Sequence, residues 1–384
     1  MKERSRVLLV NLGPKQTGVG NYARLIIKYG NLKYDILNIN LYHLGSPENY
    51  PTVSDAKTFF YGQKSDNILK NFIFNYFLLK KKDFLGFLDN IEDRYNVILL
   101  DQQDFAMMAD MFKLKFNCDI HITVHDIGYF KHSFIHPLKF ILNKNLRALK
   151  SNSIKSVMCD SYHTAQKLAE RYPEISGKIR IVELSVDQTK FTIRNKEETR
   201  KKLNLPNGKI LALNIGKDGY IKNVKNFINS IRYVNNDNII YIRVGKLTYS
   251  RKIYDKLPQQ LKDRIIIVEG VSDDILPFYY SASDIFVFPS LREGFGLELV
   301  EAHLSGNVIV TTDRPPMNDL IIPDASLLIK NPESPSEIAN LIDEASSKFK
   351  LMIEKLMSEI KIYKNRFSNE KFINNVESIL QRDS

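Results

Sequence analysis

A glycine-containing loop with two glutamates is the part of the sequence whose residue types and spacing best suit chemistry. It lies in residues 288–302, where an apolar run is followed by Glu293, Gly294 and Gly296, and then by a helical pattern that contains Glu301. Glycine lets backbone N–H groups approach a ligand closely, and unpaired N–H groups at a helix start attract an anion such as a diphosphate. The carboxylates suit hydroxyl groups, such as those of a sugar or a ribose, because they accept hydrogen bonds. For Glu301 alone, stabilisation by the helix dipole explains the acid equally well.

A second loop contains two lysines. Lys217 and Lys222 lie within residues 216–223, directly after the apolar run 210–215. Lysines at the end of a strand can neutralise a diphosphate leaving group without a metal ion. The alternative is a solvated loop in a lysine-rich protein, and the sequence favours Lys222 over Lys217 as the functional residue.

A third loop follows the first apolar run and contains Gly18 and Gly20 at the start of a helical pattern. The glycines partly match the dinucleotide-binding fingerprint. Residues 13–17 separate them from the strand, however, and no acid ends the next predicted strand, 34–39. The match therefore argues only weakly for a nicotinamide nucleotide.

Another polar pair, His125 and Asp126, ends the predicted strand 120–124. A single histidine is more often structural than catalytic, so the pair is a candidate only by its position. Ser161 and Thr164 lie after the predicted strand 156–159, where they can cap the following helix.

The remaining composition narrows the class of protein. The chain has 384 residues, a net charge of +11, 43% hydrophobic residues and only two cysteines, which is typical of a globular protein without a disulfide framework. No 18-residue apolar window and no metal-ligand spacing occur in it. We expect a cytoplasmic protein without a transmembrane helix, catalytic metal or cofactor. The aromatic and lysine-rich segment 72–88 is either a core helix or a surface for an anionic membrane, and nucleic acid is not expected as a partner.

Short apolar runs, such as 97–100, 179–184 and 285–288, alternate with helical patterns along the whole chain and are predicted strands. This alternation predicts parallel α/β sheets. The pattern restarts at residue 210 after the charged stretch 194–202, which indicates two similar domains. We place the two domains at residues 1–190 and 191–365, and we expect residues 366–384 to form a final amphipathic helix. Open sheets of this kind bind ligands at the carboxyl ends of their strands.

The string 293–302, Glu-Gly-Phe-Gly-Leu-Glu-Leu-Val-Glu-Ala, resembles the donor-site signature of the retaining GT-B glycosyltransferases of family four, in which seven residues separate two glutamates. Segments 268–271, 276–284, 287–290 and 305–310 resemble the same family in order and spacing. His303 and Asn318 depart from its usual pattern. The resemblance implies two Rossmann-like α/β domains that face a central cleft, with the C-terminal helix crossing back onto the first, acceptor-binding domain.

The resemblance also implies roles for residues. Glu293 would contact the donor sugar and Glu301 the ribose. Lys217 and Lys222 would bind the diphosphate, and His125 and Asp126 would lie near the reacting sugar. The loop of Gly18 and Gly20 would close over donor and acceptor, and backbone N–H groups would come from the segment Gly294, Phe295, Gly296 and Leu297.

The implied activity is metal-independent transfer of a hexose, of mannose or glucose type, from a nucleotide diphosphate sugar to an acceptor hydroxyl with retention. The acceptor would be a glycan, a lipid-linked sugar or a small molecule. Because the first half of the chain is basic, the inner face of the membrane is an alternative location to the cytoplasm. The alternatives are a sugar-nucleotide epimerase or hydrolase on the same fold, and a non-catalytic subunit that binds a nucleotide sugar.

Overall fold

A computed structural model of the protein describes residues 5–11, 13, 18–39, 50–52, 57–61, 81–127 and 144–381. The chain divides into two compact units, one formed by 1–184 with 369–384 and the other by 185–368. The sequence placed these borders at 190 and 365, so the structure moves each by a few residues.

The first unit is built on a parallel sheet of seven described strands in the order β3-β2-β1-β4-β5-β6-β7. The strands are β1 Arg6–Asn11, β2 Lys33–Ile39, β3 Thr58–Tyr61, β4 Val97–Leu100, β5 Asp119–Val124, β6 Ile154–Cys159 and β7 Ile179–Ile181. Its helices are α1 Gly18–Tyr29, α2 Lys81–Asp89, α3 Ala109–Phe116 and α4 Tyr162–Arg171. The central strand β4 is buried along its whole length, as expected of a strand covered on both faces.

The second unit repeats this design with six described strands in the order β10-β9-β8-β11-β12-β13, all parallel. They are β8 Ile210–Ile215, β9 Ile239–Val244, β10 Ile265–Val268, β11 Ile285–Phe288, β12 Val308–Thr312 and β13 Ser326–Ile329. The helices are α5 Lys196–Lys202, α6 Val224–Ser230, α7 Arg251–Asp255, α8 Gln259–Lys262, α9 Leu276–Ala282, α10 Leu297–Leu304, α11 Pro335–Ser347 and α12 Phe349–Arg366.

Each sheet has a point where the strand order reverses. It lies between β1 and β4 in the first unit, and between β8 and β11 in the second. The helices that follow two such strands lie on opposite faces of the sheet, which leaves a crevice at the carboxyl ends of the strands. In the second unit, the loops at this crevice are 216–223 and 289–296, and these are two of the loops that the sequence singled out.

The last helix, α13 Asn369–Gln381, belongs to the first unit. Phe372, Ile373, Val376 and Leu380 pack into the apolar layer between α1 and the sheet. The buried carboxylate of Glu377 accepts hydrogen bonds from the backbone N–H groups of Asn31 and Leu32, at 2.6 and 3.0 Å, and from the Tyr34 hydroxyl at 3.1 Å. The helix that ends the described chain is therefore fixed to the turn between α1 and β2 by both apolar and polar contacts.

Candidate functional site

The two loops at the crevice of the second unit are joined by backbone contacts. The Leu291 N–H donates to the Ile221 carbonyl at 2.8 Å, and the Ser290 hydroxyl donates to the same carbonyl at 3.1 Å. The loop after β8 and the loop after β11 therefore hold each other in place, which fixes the side chains that project from them.

Asn223 holds the end of the first loop. It has a φ of 53°, in the left-handed region that asparagine tolerates better than most residues. Its side-chain amide donates to the Pro289 carbonyl at 3.1 Å and to the Pro332 carbonyl at 2.6 Å. Because Asn223 follows Lys222 directly, these bonds fix the backbone that carries the lysine.

Lys222 lies between two carboxylates. Its Nζ is 3.0 Å from Oε1 of Glu293 and 2.6 Å from Oε1 of Glu298, and it also lies 4.6 Å from the centre of the Phe288 ring. The side chains of Lys222, Glu293 and Glu298 are 22%, 13% and 24% exposed, so the group is partly shielded from water but still reachable. The Ser290 hydroxyl donates to Oε1 of Glu293. The Lys222 ammonium thus pairs with two carboxylates.

The charges of this group shift each other. Burial alone would lower the pKa of Lys222, but the charges of Glu298 and Glu293 outweigh it and hold the pKa above its usual value. Burial raises the pKa of Glu293, and the nearby Lys222 offsets this only in part. For Glu298, burial again acts to raise the pKa, but the Lys222 charge and its hydrogen bond bring it below the usual value. At neutral pH the group therefore contains a charged lysine and at least one charged carboxylate.

Glu301 has a different partner. Its Oε2 accepts a hydrogen bond from the Tyr280 hydroxyl at 2.7 Å. Burial, followed by repulsion from Glu298, raises the pKa of Glu301 to about 8. The two glutamates of the signature thus lie in separate hydrogen-bonding groups, and Glu298 acts electrostatically on both.

A glycine shapes the backbone at the start of α10. Gly296 precedes the helix with a φ of 108°, which disfavours any residue with a side chain. Phe295 is buried and its ring packs edge-on against Phe367, at 6.2 Å between centroids. The Phe295 side chain is therefore a core contact, and only its backbone remains for the binding role that the sequence suggested for the segment from Gly294 to Leu297.

Arg243, on β9, stabilises the loop after β8 from inside the second unit. Its guanidinium is fully buried and donates to Asn214 Oδ1 at 2.9 Å and to the Gly216 carbonyl. Asp218 joins the loop to the one after β9 by accepting from the backbone N–H groups of Thr248 and Ser250, both at 2.8 Å. Lys217, between Gly216 and Asp218, is exposed.

In the first unit, both ring nitrogens of His125 are already engaged. Nε2 lies 2.8 Å from the Asp101 carbonyl, and Nδ1 lies 3.2 Å from Oδ2 of Asp160. Nε2 must carry a hydrogen, because a carbonyl only accepts. Burial raises the pKa of Asp160, and the contact with His125 acts in the opposite direction. The neighbouring Asp126 accepts from Gln103 Nε2 at 3.1 Å through its backbone carbonyl.

The other candidates in the first unit lie at helix starts. Gly18 and Gly20 are in the first turn of α1, while residues 14–17 before them are outside the described residues. Ser161 precedes α4 and accepts from the Thr164 N–H at 3.1 Å, so the capping interpretation of this pair is confirmed. Segment 72–88 is described only from Lys81 onward, where it forms α2.

His303, one of the departures from the signature's surroundings, has a structural role. Its buried imidazole contacts the Asn307 carbonyl at 3.1 Å, and its Nε2 accepts from the Ile322 N–H at 3.1 Å. Burial lowers the pKa of His303 to about 3, so the ring is neutral.

Sequence reasoning missed Glu298, Arg243 and Tyr280. In the sequence, Glu298 is only an acidic residue in the first turn of a helix, where the helix dipole favours acidic residues in any case. Its distance of 76 residues from Lys222 gives no sequence signal for their contact. Within the described ranges, no group of three or more His, Cys, Asp or Glu side chains is arranged to hold a metal ion. None of the described helices is long and apolar enough to cross a membrane.

Comparison with solved structures identifies the fold. A sucrose-phosphate synthase from Thermosynechococcus elongatus aligns over 99% of this chain and 99% of its own, with a TM-score of 0.79 and 16% sequence identity. Anabaena Alr3699/HepE, solved in complex with UDP-glucose, aligns over 98% of this chain and 100% of its own, with a TM-score of 0.77 and 13% identity. The protein therefore has the GT-B fold, with two parallel-sheet α/β units.

Comparison of sequences relates the second unit to a family of glycosyltransferases. Residues 195–366 match the profile described as "Glycosyl transferases group 1". The O-antigen chain mannosyltransferase RfbU of Salmonella typhimurium is 27% identical over 215 residues, which are 55% of this chain and 56% of that protein. The chain spans about half the length of the curated relatives it matches. Residues 195–366 are therefore similar to the glycosyl transferases of group 1.

Proposed function

We propose that the protein is a retaining glycosyltransferase that moves a hexose, of mannose or glucose type, from a nucleotide diphosphate sugar to an acceptor hydroxyl. The observation that carries the proposal is the contact of Lys222 with Glu293 beside the start of α10, where the strand order of the second sheet reverses. A crevice of this kind is where open α/β sheets bind nucleotides. The match of residues 195–366 to the profile of group 1 glycosyl transferases supports the same function.

The site offers separate groups to the parts of such a donor. The Lys222 ammonium and the N–H groups at the start of α10 suit the diphosphate. Glu293 suits a hydroxyl of the sugar, and Glu301, beside Tyr280, suits the ribose hydroxyls. The exposed Lys217 adds positive charge at the entrance to the loop.

Catalysis would depend on stabilising the leaving group. As the bond from the sugar to the diphosphate breaks, negative charge develops on the phosphate oxygen, and Lys222 is placed to stabilise it. Glu293 is an unsuitable nucleophile, because its carboxylate is bound by both Lys222 and Ser290. We therefore favour reaction on one face of the sugar, in which the departing phosphate helps to deprotonate the acceptor. No metal or cofactor is required in this scheme.

Two residues of the first unit have a positioning role in the proposal. His125 is held by Asp101 and Asp160, so its ring is fixed before any ligand binds. It would orient the sugar together with Asp126. The loop that begins α1 at Gly18 and Gly20 would contribute to donor and acceptor binding.

The proposed acceptor is a glycan or a lipid-linked sugar. RfbU is named as an O-antigen chain mannosyltransferase, and an Escherichia coli relative, 31% identical over 137 residues, is named as a galactosyltransferase acting on a sugar-diphosphoundecaprenol. A lipid-linked acceptor would bring the protein to the inner face of a membrane, and contact with anionic lipid is part of the proposal.

The first test is a thermal-shift screen with UDP-, GDP- and ADP-sugars in the presence of EDTA. A ligand that binds the folded state raises its melting temperature, so one nucleotide family should produce a shift. Lys222→Met should abolish the shift, whereas the control Lys225→Met, changed three residues further on in α6, should keep it. If no sugar nucleotide shifts the wild-type protein, the proposed function is wrong. Once a donor is known, the anomeric configuration of the product tests retention, and an inverted product would refute it.

A further inference from the structure

Glu298 contacts the lysine that the proposed function assigns to the diphosphate. It is the second residue of α10, and its carboxylate lies 2.6 Å from the Lys222 ammonium. A negative group at a helix start, bound to a lysine, has the same interactions that a phosphate would have there. The other carboxylate, that of Glu293, lies 3.0 Å from the ammonium and also accepts from Ser290, so Glu298 is the nearer rival of a diphosphate for Lys222.

The local charge favours replacement of Glu298 by a diphosphate at Lys222. With one ammonium and two carboxylates, the group has a net charge of −1 when both acids are ionised. Charges a few ångströms apart in a partly buried site interact strongly, whether they attract or repel each other. A diphosphate beside Lys222 would therefore be repelled by an unmoved Glu298 while the lysine attracts it.

We propose that Glu298 is an internal competitor for the diphosphate and thereby sets nucleotide affinity. It pairs with Lys222 when the site is empty, is displaced by the incoming diphosphate, and takes Lys222 back as the nucleoside diphosphate product leaves. The inference rests on the proposed function, and it assigns to Glu298 a task distinct from those of Glu293 and Glu301. This competition weakens nucleotide binding and speeds release of the nucleoside diphosphate product.

The test is the variant Glu298→Gln, which keeps the size of the side chain and removes its charge. Binding of UDP, GDP and ADP is measured by isothermal titration calorimetry for the wild-type and variant proteins. We expect the nucleotide that binds the wild type to bind the variant about 10-fold more tightly. Glu354→Gln, which neutralises an exposed acid on α12, should leave the affinity unchanged. In a Lys222→Met background, Glu298→Gln should give no comparable gain, because the lysine for which the two anions compete is gone.

Steady-state kinetics separate this role from a structural one. With the donor identified by the thermal-shift screen, Glu298→Gln should lower KM without raising kcat, since the product is held more tightly. Glu298→Asp keeps the charge and should stay closer to the wild type in affinity. If a nucleotide binds the wild type and binds Glu298→Gln equally or more weakly, this inference alone is overturned. If none of UDP, GDP and ADP binds either protein, the proposed function falls, and the inference with it.

Discussion

Replacement of Lys222 by methionine tests the centre of the proposed site, because it removes the ammonium and keeps most of the apolar stem. The structure predicts two separate effects. The first is on ligand binding, since the ammonium that would face the diphosphate is lost. The second is on stability, since Glu293 and Glu298 lose the cation that lies 3.0 and 2.6 Å from them.

The size of the binding effect follows from opposing terms. A lysine about 4 Å from a phosphate charge gains about 4 kcal/mol at an effective dielectric constant of 20, but it gives up contacts of similar strength with a glutamate. The net value should be that of one hydrogen bond to a charged group, about 1.5–3 kcal/mol, which is a 10- to 150-fold loss of nucleotide affinity. Lys217→Met should lose only a few-fold, because the Lys217 side chain is exposed and its charge is screened.

The effect on stability has a pH signature. Removing one partner of a buried ion pair costs about 3–5 kcal/mol, and the partial exposure of these side chains should reduce this to about 1–3 kcal/mol. Without the lysine, the pKa of the two carboxyls rises in the folded state. A carboxyl with a raised pKa stabilises the fold at low pH and loses that contribution as the pH rises through the folded value. The deficit of Lys222→Met should therefore be larger at pH 8 than at pH 5.

Isothermal titration with the nucleotide and thermal melts at several pH values measure the two effects independently. Lys225→Met is the matched control for both. Wild-type nucleotide affinity in Lys222→Met would refute the placing of the diphosphate at this lysine. A melting temperature that is equally lowered at all pH values would refute the electrostatic account of the group.

Three further predictions concern other parts of the structure. Because burial raises the pKa of Glu301 to about 8, the contribution of this carboxyl to stability is complete below about pH 4.5 and is lost as the pH rises through 8. The melting temperature of Glu301→Gln should therefore rise relative to that of the wild type between pH 5 and pH 8.5, and a difference that stays constant with pH would contradict the raised pKa. Asn223→Ala should be less stable in denaturant than Asn223→Gly by about 1–2 kcal/mol, because both lose the amide bonds but only alanine is strained at a φ of 53°. Glu377→Ala should destabilise the first unit by about 3 kcal/mol or more in chemical unfolding, whereas Ser378→Ala, on the same helix, should cost about 1 kcal/mol or less.

The fold was largely predictable because its central strands are short apolar runs. Segments such as 97–100, 210–215 and 285–288 form strands at the expected residues, since full burial on both faces leaves an unbroken apolar signal. The sequence analysis missed β3 and β13. They are edge strands of four residues whose side chains are partly exposed, so their composition resembles that of a loop. The predicted strand 179–184 ends at Ile181, also at a sheet edge.

Residues of the site were predictable only where they belong to a recognisable local sequence motif. Glu293 and Lys222 were chosen separately, and the structure brings them into contact. The roles of the predicted residues in binding and catalysis stay predictions. Glu298 and Arg243 have no such string, because each matters through a partner that is far away along the chain or buried under the loop. Such contacts depend on how strands are ordered in the sheet, which no local pattern contains.

The chemical composition of the crevice argues for one class of ligand. The partly buried Lys222 contacts the carboxylates of Glu293 and Glu298, and Glu301 lies close enough to Glu298 for their charges to interact. When the acids are ionised, a simple anion would meet more repulsion than attraction there, and a neutral sugar would not use the lysine or the N–H groups at the start of α10. The proposed nucleotide sugar would satisfy both sets of groups, because its diphosphate would bind the lysine and the helix N–H groups while its hydroxyls would donate to the carboxylates. In the proposed exchange, Glu298 would then replace the departing diphosphate at Lys222, where the structure already places it.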